Sequence, residues 1–305
     1  MDSFSRTIRD IESVKIQGAE NVAIAAINAF KTRIKTKRYS GRERLLSDVE
    51  KSKKLLFKTR PTEPLMRNSL DFVTHGIGNY SDSGVSEIKK MIILRADKAL
   101  AHFKEAEEKI ALYGSRRIEE GYVVFTHCHS SSVINIFSSA RKQGKWFRVY
   151  NTETRPLYQG RKTANDCVRL KIPVTMFVDS AARVAIKKSD IMMIGSDAMT
   201  AEGRIVNKIG SEMFAVIANK YDVPVYVCMD SWKFDPKSIT GYDEEIEQRS
   251  SKEIWPKKPK GVRIENPTFE RVLPDLITGI ISDIGLYPPE VFVEEVKKSS
   301  PWMFE

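Results

Sequence analysis

The chain has 305 residues, 41% of them hydrophobic and 30% charged, enough for one large or two modest cores and unlike a disordered polymer. Its formal net charge of +10 favours anionic ligands over cationic ones. No run approaches the ~20 apolar residues that a membrane span needs, so no membrane partner is expected.

Basic runs occur at 35–38, 51–54 and 257–260, but none is interleaved with aromatics as a single-strand stacking platform requires. The same Lys-rich surface also suits a heat-adapted protein. The polar start MDSFSRTIRDIESVK is expected to be neither a secretory signal nor a transit peptide, which gives a cytoplasmic expectation. Three cysteines, Cys128, Cys167 and Cys228, are too few and too widely spaced for a disulfide framework or a zinc ribbon.

Residues 1–115 read as a helical N-terminal domain. Ile11, Val14, Ile16, Val22, Ile24 and Ile27 recur at helical spacing. The stretch Arg60-Pro-Thr-Glu-Pro64 must break the helices, because each Pro restricts the residue before it. A long amphipathic segment over 86–110 follows, expected to pack between domains or against a second subunit.

After Gly121 the texture changes, and residues 116–305 read as a second domain carrying most of the site. Short apolar runs at 122–126, 146–150, 174–178, 190–194, 223–228 and 276–281 alternate with helical stretches such as 132–143 and 163–170. That alternation predicts βαβ units and a parallel sheet buried on both faces. The fold class is therefore α/β, a helical domain followed by a Rossmann-like one. No internal repeat or low-complexity segment is present.

Ligands of open parallel sheets bind beyond the carboxyl ends of the strands. Those ends carry Thr126-His-Cys-His-Ser-Ser131, Asn151-Thr-Glu-Thr-Arg-Pro156, Asp179-Ser180, Gly195-Ser-Asp-Ala198, Asp230-Ser-Trp-Lys-Phe234 and Ser282-Asp283. Cys128 precedes Ser130 and a predicted helix, whose N-terminus is expected to lower the thiol pKa. A small buried cysteine beside helix-capping hydroxyls is the plainer alternative. His127 and His129 lack a third ligand, so zinc is not expected. Asp197 lies in a glycine-bracketed loop. The stretch Asn207-Lys-Ile-Gly-Ser211 is expected to open a helix, whose amides, with the Lys208 ammonium and the Asn207 side chain, could hold a phosphate; an ordinary turn capped by Ser211 is the alternative. Arg155 and Gln159 offer a forked cation and a neutral donor, although Arg155 could equally pair with Glu153 or another sheet-edge carboxylate.

Together these segments resemble the superfamily that joins 5-methylthioribose-1-phosphate isomerase, archaeal ribose-1,5-bisphosphate isomerase and the regulatory subunits of translation initiation factor 2B. The resemblance spans nearly the whole chain. It is carried by Gln17-Gly-Ala19, Arg60-Pro-Thr62, THCHSSSV, NTETRPLYQG, VDSAA, GSDAM, NKIGS, SWKF, ENPTF and DIGLYPP, and is nearest to ribose-1,5-bisphosphate isomerase. It implies Cys128 and Asp197 as catalytic residues. Sugar and phosphate contacts fall on Gly18, Ala19, Arg60, Gln159, Asn207 and Lys208, and the neighbouring Ser130 and Arg155 are candidates beside them. The isomerases usually carry Arg where this chain has Gln17. That change removes a charge-assisted contact worth about 1.5–3 kcal/mol, which Lys15 or Lys233 could replace.

What the resemblance implies is an aldose–ketose isomerase acting on ribose 1,5-bisphosphate through an enol phosphate, with neither metal nor redox cofactor required. Cys128 is assigned to proton transfer at carbon and Asp197 to the ring oxygen and hydroxyls, or the reverse. Two alternatives stand beside it: a non-catalytic initiation-factor-2B-type regulator that binds initiation factor 2, and a methylthioribose-1-phosphate isomerase. The factor subunits generally lack the Cys/Asp pair, which favours an enzyme. The family also implies a homo-oligomer, dimer or hexamer, and makes a nucleotide activator such as AMP an expectation.

Overall fold

The computed structural model describes residues 2–79, 84–242 and 246–305. It divides into two compact units, Met1–Glu105 with Ser300–Glu305, and Ala106–Ser299. Among the described residues no helix is long and apolar enough to cross a membrane.

The first unit is helical. Its helices are α1 (Ser3–Glu12), α2 (Ala19–Thr36), α3 (Arg42–Thr59), α4 (Pro64–Thr74) and the start of α5 (Val85–Ser115). The break expected at Arg60–Pro64 falls between α3 and α4, with Pro64 at the first turn of α4, where its missing N–H costs no hydrogen bond. Val22, Ala26, Ile27, Phe30 and Ile34 form the buried face of α2, which packs on α4 and α1. Asp48 on α3 gathers Arg33 (2.7 Å), Lys37 (2.7 Å) and Tyr39 (2.9 Å). Burial alone would raise this carboxyl, but those three hydrogen bonds outweigh it and hold the pKa at about 2.

The second unit begins within α5, whose Gly114 lets Ile136 approach: a Cβ there would lie 2.3 Å from the Ile136 side chain. Its chain then runs β1 (Val123–Thr126), α6 (Ser131–Lys142), β2 (Arg148–Thr152), α7 (Gln159–Arg169), β3 (Val174–Phe177), α8 (Ala182–Ile186) and β4 (Ile191–Gly195). Next come β5 (Ala198–Met199), β6 (Ile205–Lys208), α9 (Ser211–Lys220), β7 (Val225–Cys228), β8 (Phe269–Val272), β9 (Gly279–Ser282), β10 (Gly285–Tyr287) and α10 (Pro289–Ser299).

Seven strands form one sheet in the order β10-β9-β7-β4-β1-β2-β3, and only β10 runs antiparallel to its neighbour. Central strands β1 and β4 are buried along their whole length, which explains their near-continuous apolar sequence. Each of the six apolar runs read from the sequence overlaps one of these strands. The antiparallel edge strand β10 lies outside those runs, and the equally unanticipated β5, β6 and β8 form a separate three-stranded antiparallel sheet.

The strand order matters for function. From β1 the chain steps outward through β2 to β3, then returns to the other side of β1 as β4. The ends of β1 and β4 therefore flank the topological switch point, where an open sheet leaves a crevice.

Candidate active site

Cys128 follows β1 by two residues, and Ser196 and Asp197 follow β4 directly. Both segments therefore leave neighbouring parallel strands at the same end of the sheet. Gly195, at the end of β4, makes this approach possible: a Cβ there would lie 2.6 Å from Ser130 Oγ. Ser130 is the N-cap of α6 and accepts the Val133 N–H at 3.4 Å.

Cys128 has a left-handed backbone, φ 63, rare for a residue with a side chain. It is held from both sides, since its N–H donates to Thr154 Oγ1 (3.1 Å) and its carbonyl accepts from the Thr163 hydroxyl (2.7 Å). Burial pushes the thiol up to about 11, with Asp197 and Asp179 adding to the rise. Lys208 and the His129 N–H pull it down without reversing the shift. The expected lowering by a helix N-terminus is thus corrected: α6 begins three residues later, and desolvation outweighs the nearby positive groups.

The flanking histidines have other partners. His127 is buried, donating from Nε2 to the Ile209 carbonyl (2.9 Å) and therefore accepting at Nδ1 from Thr152 Oγ1 (2.6 Å). Burial lowers its pKa to about 4, so the ring is neutral and ties β1 to β2 and to the loop after β6. His129 Nε2 meets Asp166 at 2.8 Å on α7.

Asn207 and Lys208 lie at the end of β6 rather than opening a helix. Asn207 is buried and donates to Ser211 Oγ (2.9 Å), while Lys208 Nζ sits 4.6 Å above the Phe269 ring. The helix N-terminus expected to hold phosphate is already occupied. Glu270 of β8 accepts the Glu212 N–H at 2.8 Å, and the nearby Gly210 and Ser211 amides also favour its charged form. This corrects the reading of those amides as free anion donors, and a carboxylate 58 residues away in sequence is the reason. Ser211 is the first helical residue, not the N-cap, which is Gly210 with φ 102.

Lys233 donates to the Ser196 carbonyl at 2.6 Å, so part of its donor capacity is spent beside Asp197. Exposed Arg155 donates from Nη1 to the Tyr158 hydroxyl (2.6 Å) and from Nη2 to the Ile254 carbonyl (3.4 Å). Gln159 opens α7, and Gly160 behind it is obligatory, since a Cβ there would lie 1.8 Å from the Thr152 carbonyl oxygen.

The remaining candidates belong to the first unit. Gln17 donates to the Val14 carbonyl (2.9 Å), Gly18 with φ 86 caps α2, Ala19 begins it, and Arg60 caps the end of α3. Lys15 is exposed and pairs with Asp10 at 3.4 Å. Within the second unit the fold gathers Cys128, Ser130, Asp197, Lys208 and Lys233 around the switch point. Residues not singled out from sequence are Thr152, Thr154, Thr163, Asp179 and Glu270. Only Asp179 and the two β2-end threonines were visible there, as strand-end polar groups.

Comparison with known proteins agrees with this fold. Ribose 1,5-bisphosphate isomerase of Methanocaldococcus jannaschii is 35% identical over 305 residues, covering 99% of this chain and 97% of that protein. Methylthioribose-1-phosphate isomerase of Symbiobacterium thermophilum is 30% identical, covering 94% and 85%. The crystal structure of translation initiation factor eIF-2B from Pyrococcus horikoshii OT3 superposes with a TM-score of 0.83 at 25% identity, covering 96% of this chain and 99% of that one. With residues 15–289 matching its profile, the chain belongs to the Initiation factor 2 subunit family.

Proposed function

We propose that the chain is an aldose–ketose isomerase that converts ribose 1,5-bisphosphate to ribulose 1,5-bisphosphate, with Cys128 and Asp197 as its acid–base pair. The observation that carries this is the arrival of a thiol and a carboxylate from the neighbouring strands β1 and β4 at the switch point, where the Asp197 charge raises and the Lys208 charge lowers the thiol pKa. Similarity to the archaeal ribose 1,5-bisphosphate isomerase over nearly the full chain supports the substrate.

Phosphate caps O1 of the substrate, so no free aldehyde can form before the ring opens. With Cys128 held as a neutral thiol, the step that needs no prior proton shuffle starts from thiol and carboxylate. Asp197 takes the C2 proton while Cys128 gives its proton to the ring oxygen. The C1–ring oxygen bond breaks and a C1=C2 enol phosphate forms. The Cys128 thiolate then takes the O2 proton, and Asp197 returns its proton to C1. Both groups end as they began, and the ketone stands at C2. Of the two assignments the sequence left open, this is the one in which the thiol serves the ring oxygen. Lys208 and Asn207 are proposed to hold phosphate and sugar hydroxyls from the β6 end. No step is drawn through Gln17, Gly18, Ala19 or Arg60 of the first unit.

A second reading, methylthioribose-1-phosphate isomerase, is favoured by the Symbiobacterium relative. The two substrates differ at C5, where one carries an anion and the other an apolar thioether. Incubating purified protein with each and following product by NMR tests both. Turnover of the bisphosphate supports the proposal, turnover of the thioether alone selects the second reading, and turnover of neither refutes both. A homo-oligomer belongs to the same reading and is checked by sedimentation. The AMP activator and an initiation factor 2 partner rest on the resemblance alone.

A further inference from the structure

We propose that Asp179 is a positioning residue for the Cys128 thiol, acting through Thr154; this rests on Cys128 being the reacting group proposed above. Three strand ends, β3, β2 and β1, are joined in series. Asp179, two residues beyond β3, accepts the Thr154 N–H at Oδ1 (2.8 Å) and the Arg155 N–H at Oδ2 (2.7 Å). One carboxylate thereby fixes two consecutive amides beyond β2. Thr154 is itself left-handed, φ 63, and fully buried. Its hydroxyl oxygen accepts the Cys128 N–H at 3.1 Å.

Two left-handed residues with side chains, Cys128 and Thr154, meet here through one hydrogen bond, and each persists only where its surroundings over-determine it. At Cys128 the determinants are Thr154 and Thr163; at Thr154 they are the two oxygens of Asp179. Without Asp179, the Thr154 N–H loses its acceptor and the turn that aims its hydroxyl relaxes. The Cys128 N–H then loses its partner, and the thiol no longer has a fixed direction into the crevice. The Asp179 charge also reaches the thiol, alongside Asp197, Lys208 and the His129 N–H, so the link has an electrostatic as well as a steric readout. His127, beside Thr154 at 3.4 Å, is neutral and adds no charge.

Cys167 and Cys228 are buried, so alkylation of the full chain reads Cys128. The test measures iodoacetamide labelling of the Cys128 peptide against pH, together with kcat and KM, for wild type, Asp179→Asn, Thr154→Val and Thr154→Ser. In Asp179→Asn the amide can accept only one of the two N–H groups and carries no charge. Its labelling midpoint moves to lower pH, raising the rate at pH 8.5 about threefold. Its kcat falls about tenfold or more, with KM within about twofold, as expected when a reacting group is misdirected. Thr154→Ser, which keeps the hydroxyl, labels and turns over like wild type, and Thr154→Val does not. Wild-type labelling and kcat in Asp179→Asn overturn the proposal, as does a Thr154→Ser protein that behaves like Thr154→Val. If wild type fails to turn over sugar phosphate, the isomerase reading falls, and the labelling midpoints alone decide the positioning role.

Discussion

Lowering the pH from 7.5 to 5 will destabilise the sheet-bearing unit through His127. The ring is 2% exposed, and burial holds its pKa at about 4, against 6.5 for a free side chain. A folded-state pKa below the unfolded one means that the unfolded chain binds more protons between these values. The stabilisation is therefore complete above about 6.5 and is lost as pH falls toward about 4. The two-state proton count gives a loss of about 2 kcal/mol at pH 5, approaching roughly 3 kcal/mol at pH 4. His129 shifts in the same direction, again by burial, so it adds to the slope. Urea denaturation followed by circular dichroism at pH 7.5, 6.5, 5.5 and 5.0 reads the effect. His127→Gln retains a donor toward the Ile209 carbonyl but does not titrate. Its stability between pH 7.5 and 5 should fall by about 2 kcal/mol less than that of wild type. Parallel pH profiles for the two proteins would refute the assignment of a buried neutral His127.

Gly160→Ala drives a methyl group into the Thr152 carbonyl and should cost about 3 kcal/mol, lowering the melting temperature by about 10 °C; a shift below about 2 °C would show that α7 does not start as described. Asp48→Ala leaves Arg33, Lys37 and Tyr39 without their shared acceptor and should destabilise the helical unit by about 2 kcal/mol, measured by chemical denaturation at pH 7. Burial raises the Glu270 carboxyl above 4.5, with Glu212 adding to the rise and the α9 amides opposing it. Its contribution is therefore greatest at low pH and declines as pH rises through its folded value. Wild type should lose stability relative to Glu270→Gln as pH rises above about 4.5, and an unchanging difference between the two would contradict a half-buried carboxyl with a raised pKa.

Six of the seven strands of the large sheet are legible because each overlaps an apolar run bounded by turn residues, and β1 and β4 are buried on both faces; the three-residue β10 is too short to show such a run. The helical break at Arg60–Pro64 was legible because proline chemistry is local. What escaped was non-local or short. β5 has two residues, and β6 reads Ile205-Val-Asn-Lys208, too short and too polar to separate from a turn before a helix. Lys208 and Asn207 were identified as site candidates but placed on the wrong element for that reason. The occupancy of the α9 N-terminus by Glu270 depends on β8 pairing with β6, which no local pattern announces. Cys128 and Asp197 could be named from the motif that carries them. The state of the thiol could not, because desolvation depends on everything packed around it. Asp179 was visible as the polar residue after β3, while its two acceptor bonds required the β2 loop in place.

As proposed, Cys128 and Asp197 act together on one sugar phosphate. The most direct measurement of that joint action is the turnover of α-ribose 1,5-bisphosphate, followed by ³¹P NMR, for wild type, Cys128→Ser and Asp197→Asn at equal folded concentration. Wild type should yield ribulose 1,5-bisphosphate, and each variant should lose about 10²–10⁴-fold of that rate. Wild-type rates in either variant, or no product from wild type where a verified isomerase turns over, would contradict that joint action.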